Sequence, residues 1–100
     1  MRIIFISDIH GITKNLDYIK KTFDILNCDR IVVLGDLFNG PSILEDYNSL
    51  YVLDFLNSFK DKLICMRGNC DTNSDLKKCD FSIYDGLFKI KIDNYNFYFK

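Results

Sequence analysis

Apolar residues fill the chain from Ile3 to Ile6 without interruption before it turns polar at Ser7, Asp8 and His10. Such a run predicts a strand over Arg2 to Ile6 that is buried on both faces. RIVVL at Arg30 to Leu34 and KLICM at Lys62 to Met66 repeat the pattern. Between them the period changes. Leu16, Ile19, Phe23 and Leu26 recur at helical spacing after the Gly11 break, with Thr13 as the candidate cap. Leu50, Leu53 and Leu56 mark a second helix from Asp46 to Phe59. LFNGPS, with Asn39, Gly40 and Pro41, reads as a loop. Strands alternating with helices call for right-handed crossovers and a parallel sheet, so the fold class is α/β. Leu87 to Ile92 and Tyr95 to Phe99, joined by Asp93-Asn94, then predict a β-hairpin.

The length of 100 residues leaves room for one domain, and 48% hydrophobic and 15% aromatic residues are enough for a packed core. The surplus of Ile, Lys, Asn, Phe and Tyr has the look of an AT-rich coding sequence and carries no functional weight. Thirteen basic against fourteen acidic residues give a net charge of -1. With no Lys/Arg stripe to follow a phosphate backbone, nucleic-acid binding is not expected. Asp8 breaks the first apolar run before it could act as a signal-peptide core, and no later run is long enough to span a bilayer. The expectation is a soluble, cytoplasmic protein without a membrane partner. Cys28, Cys65, Cys70 and Cys79 lack CxxC spacing and are expected to be reduced thiols.

The chemistry lies where the strands end. Asp8 and His10 follow the first, Asp36 the second, Asn69 and Asp71 the third. In a parallel sheet these loops converge on one edge. Each piece has an ordinary alternative: an Asp that caps a helix, Gly35-Asp36 as turn chemistry, GNCD as a tight turn. The three together, in order and each at a strand end, point to a metal centre. Carboxylate and amide oxygens with one imidazole suit Mn²⁺, Fe or Zn²⁺, and two ions sharing a central carboxylate can clamp a phosphate ester and activate water.

At SDIHG, LGDLFNGP and RGNCD the sequence resembles the calcineurin-like metallophosphoesterases, whose pattern runs DxH, GD, GN plus an acidic residue, and then two histidine motifs. The resemblance is strongest to the compact single-domain phosphodiesterase branch of bacteria and archaea. It implies an α/β sandwich with a parallel sheet at its core and a phosphodiesterase that acts on a small phosphate ester. It also implies two divalent ions, manganese first, with iron, zinc or nickel as alternatives. Asp8 and His10 would hold the first ion, Asp36 would bridge both, and Asn69 would bind the second. Arg67 resembles the arginine that can clamp phosphate, although a surface turn arginine fits the position nearly as well. Cys70 stands where the wider family has a histidine, and a thiol is a weaker general acid than imidazole. A small turn residue is the alternative for Cys70.

His10 is the only histidine in these 100 residues, so the later histidine motifs are not matched. The expectation is the N-terminal part of a single phosphoesterase domain, cut after the hairpin and inactive alone. The rest of the site would come from a missing C-terminal half or from a second copy. An inactive fragment, or a scaffold that uses the fold's apolar surface, is the alternative function. The intact Asp8, His10, Asp36 and Asn69 favour an enzyme.

Overall fold

Ile3–Ile6 (β1), Arg30–Val33 (β2) and Leu63–Met66 (β3) are adjacent parallel strands in the computed structural model, which describes residues 1–40 and 43–99. Pro41 and Ser42 of the expected loop lie outside the described residues, as does Lys100. A two-residue strand, Ile83–Tyr84 (β4), extends the sheet to the order β1-β2-β3-β4. Ile3 pairs with Arg30 and Ile31 with Leu63, so the three expected strands end at nearly the same level.

The crossovers are Leu16–Ile25 (α1) and Ser49–Ser58 (α2). Both pack on one face of the sheet, as two crossovers of the same hand running the same way require. Leu16 and Phe23 of α1 meet Val52, Phe55 and Leu56 of α2 over Ile31, Val33 and Cys65. The Phe23 and Phe59 rings pack edge to face at 5.0 Å. Burying side chains such as Leu56 and Ile31 contributes about 1.5–3 kcal/mol each. This face is the main core.

Two helix expectations are corrected. Thr13 does not cap α1; Asn15 holds the cap position, and the Thr13 hydroxyl donates to the Asp46 carbonyl instead. Asp46 lies in the loop before α2, which starts at Ser49 with the Asn48 side chain accepting from the Tyr51 N–H. The buried stripe of α2 is Val52, Phe55 and Leu56, and Leu50 is 68% exposed. Helix α2 is apolar on more than one side, so leucine spacing marks the helix without fixing its inward face.

The other face of the sheet is covered by the hairpin Phe88–Ile92 (β5) and Tyr95–Phe99 (β6). Asp93 and Asn94 both have positive φ, the conformation of a two-residue turn matched to strand twist. Ile90, Ile92 and Phe99 pack against Val32, Ile64 and Met66. This cover is thinner than the helical one. Burial on both faces holds for β2 and most of β3, whereas Phe5 in edge strand β1 is 48% exposed. A short helix, Asn73–Leu76 (α3), completes the described elements. No helix among the described residues is long and apolar enough to cross a membrane.

Candidate metal centre

Beyond the ends of β1 and β2 the backbone pairing continues into the loops. The Asp8 N–H donates to the Gly35 carbonyl at 3.3 Å, His10 N–H to Asp36 at 2.8 Å, and Gly11 N–H to Leu37 at 2.9 Å. To make these bonds Asp8, His10 and Asp36 each take a left-handed backbone, with φ of 58°, 51° and 57°. A residue other than glycine gives up about 1–2 kcal/mol in that region. Strain on three neighbouring chemical residues is the mark of a site whose geometry outranks local comfort.

The third loop closes against the second. A Cβ on Gly35 would overlap the Gly68 backbone, and one on Gly68 would overlap the Asp36 carboxylate, so both glycines are required by close approach. Through that contact the Cys70 N–H reaches Asp36 Oδ1 at 2.8 Å.

The side chains converge as the sequence anticipated. Asp8, His10 and Asp36 can each point one ligand atom into a cluster in which all lie within 4.8 Å of one another. His10 Nε2 is 3.2 Å from Asp8 Oδ1 and 4.0 Å from Asp36 Oδ2. On the far side of the ring Nδ1 lies 2.8 Å from the Asn39 carbonyl, which can only accept. Nδ1 therefore carries a proton, and Nε2 is the nitrogen free to bind a metal when the ring is neutral. The Asn39 carbonyl, together with Asp8 and Asp36, raises the His10 pKa above that of an ordinary imidazole despite partial burial. Hydrogen bonds from Ser7 and His10 hold Asp8 below the usual carboxylate range.

A divalent cation fits this donor set. Two carboxylates face one imidazole, and among the described residues neither is paired with a lysine or arginine. Two oxygens and a nitrogen are the donors that Mn²⁺, Fe²⁺ and Zn²⁺ accept.

The other expected residues are placed less completely. Asn69 is exposed in the turn between Gly68 and Cys70, and no hydrogen bond to its side chain occurs among the described residues. Cys70 is half-buried, and partial desolvation with the carboxylates of Asp36, Asp71 and Asp8 around it raises its thiol pKa. Arg67 donates to Asn73 Oδ1 at 3.0 Å and to the Asp71 carbonyl at 3.1 Å, and lies 3.6 Å from Asp85, so much of its fork is spent within its own turn. Asp71, grouped with the ligand-type residues on the sequence, lies outside the cluster. It is 5% exposed and faces backbone amides. Asn39 was read only as a loop residue, yet it touches two loops at once: its carbonyl orients His10, and its side chain donates to the Cys70 carbonyl. Nothing in an Asn-Gly pair distinguishes that role from an ordinary turn.

The chain carrying this site is similar along most of its length to known proteins. Residues 1–100 match the calcineurin-like phosphoesterase family. The chain belongs to the calcineurin-like phosphoesterases. Phosphodiesterase YfcE of Escherichia coli K12 is 35% identical over 86 residues, covering 83% of this chain and 47% of that protein. The symmetrical bis(5'-nucleosyl)-tetraphosphatase of Buchnera aphidicola from Schizaphis graminum is 34% identical over 97 residues, 95% of this chain and 31% of that one. The solved structure of the E. coli phosphoesterase YfcE superposes with a TM-score of 0.87 at 27% identity, covering 99% of this chain and 56% of the other. The calcineurin-like phosphoesterase chain thus spans about half the length of these relatives, or less. Its parallel four-stranded sheet is the phosphoesterase fold of that neighbour.

Proposed function

We infer that the complete protein is a phosphodiesterase that needs two divalent ions, manganese in the first instance, and acts on small phosphate esters rather than nucleic acid. The observation that carries this reading is the convergence of Asp8, His10 and Asp36 at the sheet edge of a calcineurin-like phosphoesterase. Asp8, His10 and Asp36 would hold the first ion, and Asp36 and Asn69 would give the second its first two ligands. Ions bound there would neutralise the phosphate and activate a water molecule.

The chain's own groups define the rest. Asp36 has Oδ1 fixed by the Cys70 N–H, which leaves Oδ2 on the His10 side for an ion. Arg67 retains unspent N–H donors toward a phosphate oxygen. The Cys70 thiol, held protonated by its surroundings, contacts substrate as a neutral group and is a poor proton donor. Esters with good leaving groups should therefore be favoured. Two protein ligands do not hold a catalytic ion well, so the remaining ligands must come from polypeptide outside these 100 residues. The described fold is then the N-terminal part of one domain.

Hydrolysis of bis(p-nitrophenyl) phosphate by the complete protein with Mn²⁺ tests the reading. Asp36→Asn should lower the rate ~1,000-fold or more, because both ions lose their shared charge, and Cys70→Ala only ~10-fold. A larger loss from Cys70→Ala would refute the assignment, and an inert complete protein would favour a scaffold.

A further inference from the structure

Asp71 contributes no ligand atom to the cluster, yet it is the most heavily bonded side chain near it. Its Oδ2 accepts from the Asp36 N–H at 3.0 Å and from the Gly68 N–H at 2.7 Å, while Oδ1 accepts from the Leu37 N–H at 2.8 Å. Three amides from two different loops end on one buried carboxylate. The bonds to Asp36 and Leu37 fall on the residue with the left-handed backbone and the one after it, where a change in φ would swing the Asp36 carboxylate away from His10. The bond to Gly68 draws the third loop in, and this closeness lets the Cys70 N–H take Asp36 Oδ1. Arg67 secures the arrangement from outside by donating to the Asp71 carbonyl.

We propose that Asp71 is a positioning residue for the metal centre: its carboxylate sets the backbone of Asp36 and the approach of the Gly68-Cys70 turn, and so aims Asp36 at the ion without touching it. The inference rests on the metal reading for its consequence but not for its geometry. A carboxylate supplies what the position demands, since it is acceptor-only and meets three donors. An asparagine of the same shape would turn an NH₂ group toward at least one of these amides. Outer contacts of this kind typically change metal affinity 10- to 100-fold.

Two measurements on the complete protein test it. Calorimetric titration with Mn²⁺ should show Asp71→Asn binding ~10- to 100-fold more weakly than the parent. The visible absorption of bound Co²⁺ should change as well, since the ligand geometry moves, whereas a merely structural role would lower thermal stability and leave affinity and spectrum alone. Parental affinity and spectrum in a folded Asp71→Asn would overturn the proposal. If that variant does not fold, amide exchange of the metal-free parent decides: the Asp36, Leu37 and Gly68 N–H groups should exchange slowly, and exchange as fast as the exposed turn at Asp93 would overturn it. A parent that binds neither Mn²⁺ nor Co²⁺ but protects these amides refutes the metal reading, and with it the positioning role.

Discussion

Asp8, His10 and Asp36 are each held by a further contact, from Ser7, from the Asn39 carbonyl and from Asp71 and Cys70, whereas the Asn69 amide projects from its turn with no such support among the described residues. Both regions lie at the same sheet edge, and both follow a buried strand. The first is tied to a neighbouring loop by backbone bonds on either side of each strained residue, and the second belongs to a turn held from below through Gly68 and Asp71. A held ligand has already lost its freedom and binds an ion with little further entropy cost; a free side chain must lose that freedom on binding. The two ion positions should therefore differ steeply in affinity.

The largest test of that difference is removal of a held ligand. His10→Ala should weaken Mn²⁺ binding to the chain ~100-fold or more, and Asn69→Ala less than about 2-fold, because Asn69 is proposed for the second position only. Equal losses would make the two regions alike. Next comes stoichiometry: calorimetry at micromolar Mn²⁺ should count one ion per chain, and two tight ions would mean that a second copy supplies ligands.

A smaller effect is expected from pH. The folded pKa of His10 is raised, chiefly by the Asn39 carbonyl. In the metal-free chain its stabilising contribution is therefore complete below the unfolded value of about 6.5 and is lost as pH rises through the folded value. Mn²⁺ needs Nε2 without its proton, so binding should strengthen over the same window. Melting temperatures of parent and His10→Asn at about pH 6 and about pH 8 check the sign. The parent should lose ground to the variant at the higher pH without metal and regain it with Mn²⁺; a gap that ignores pH would leave His10 outside the centre.

The smallest effect concerns thiols. Burial pushes Cys65 up to about 12 and Cys79 up to about 11. At pH 8 roughly 1 in 10,000 of Cys65 and 1 in 1,000 of Cys79 would be thiolate. Iodoacetamide should label Cys70, on the sparsely held side, before Cys79 and Cys79 before Cys65. Early labelling of Cys65 would show that the strand beneath the site opens readily.

Strands β1, β2 and β3 were legible because each is a short apolar run closed by polar residues, and the hairpin because Asp93-Asn94 separates two apolar segments. The convergence of Asp8, His10 and Asp36 was legible because each is a ligand-type residue at the end of a buried strand. β4 was not, since two residues, Ile83 and Tyr84, cannot establish a period. The inward face of α2 was not legible for the opposite reason, an excess of apolar positions. Asn39 and the backbone-clamping role of Asp71 depend on which amides and carbonyls the fold brings near, and that is fixed only when three separate loops meet.

The hairpin forms a sheet of its own, and it rests on the parallel strands through Ile90, Ile92 and Phe99, the Phe5–Phe97 ring contact and an ion pair from the amino terminus to Asp93. A cover fastened by side chains, without a shared ladder among the described residues, can lift as a unit while the helices stay packed. Limited proteolysis should accordingly cut first between Tyr84 and Phe88, where the chain passes from one sheet to the other. Once the hairpin is lifted, Val32, Ile64 and Met66 form an uncovered apolar strip, so clumping on mild heating should begin there while the helical layer is still intact.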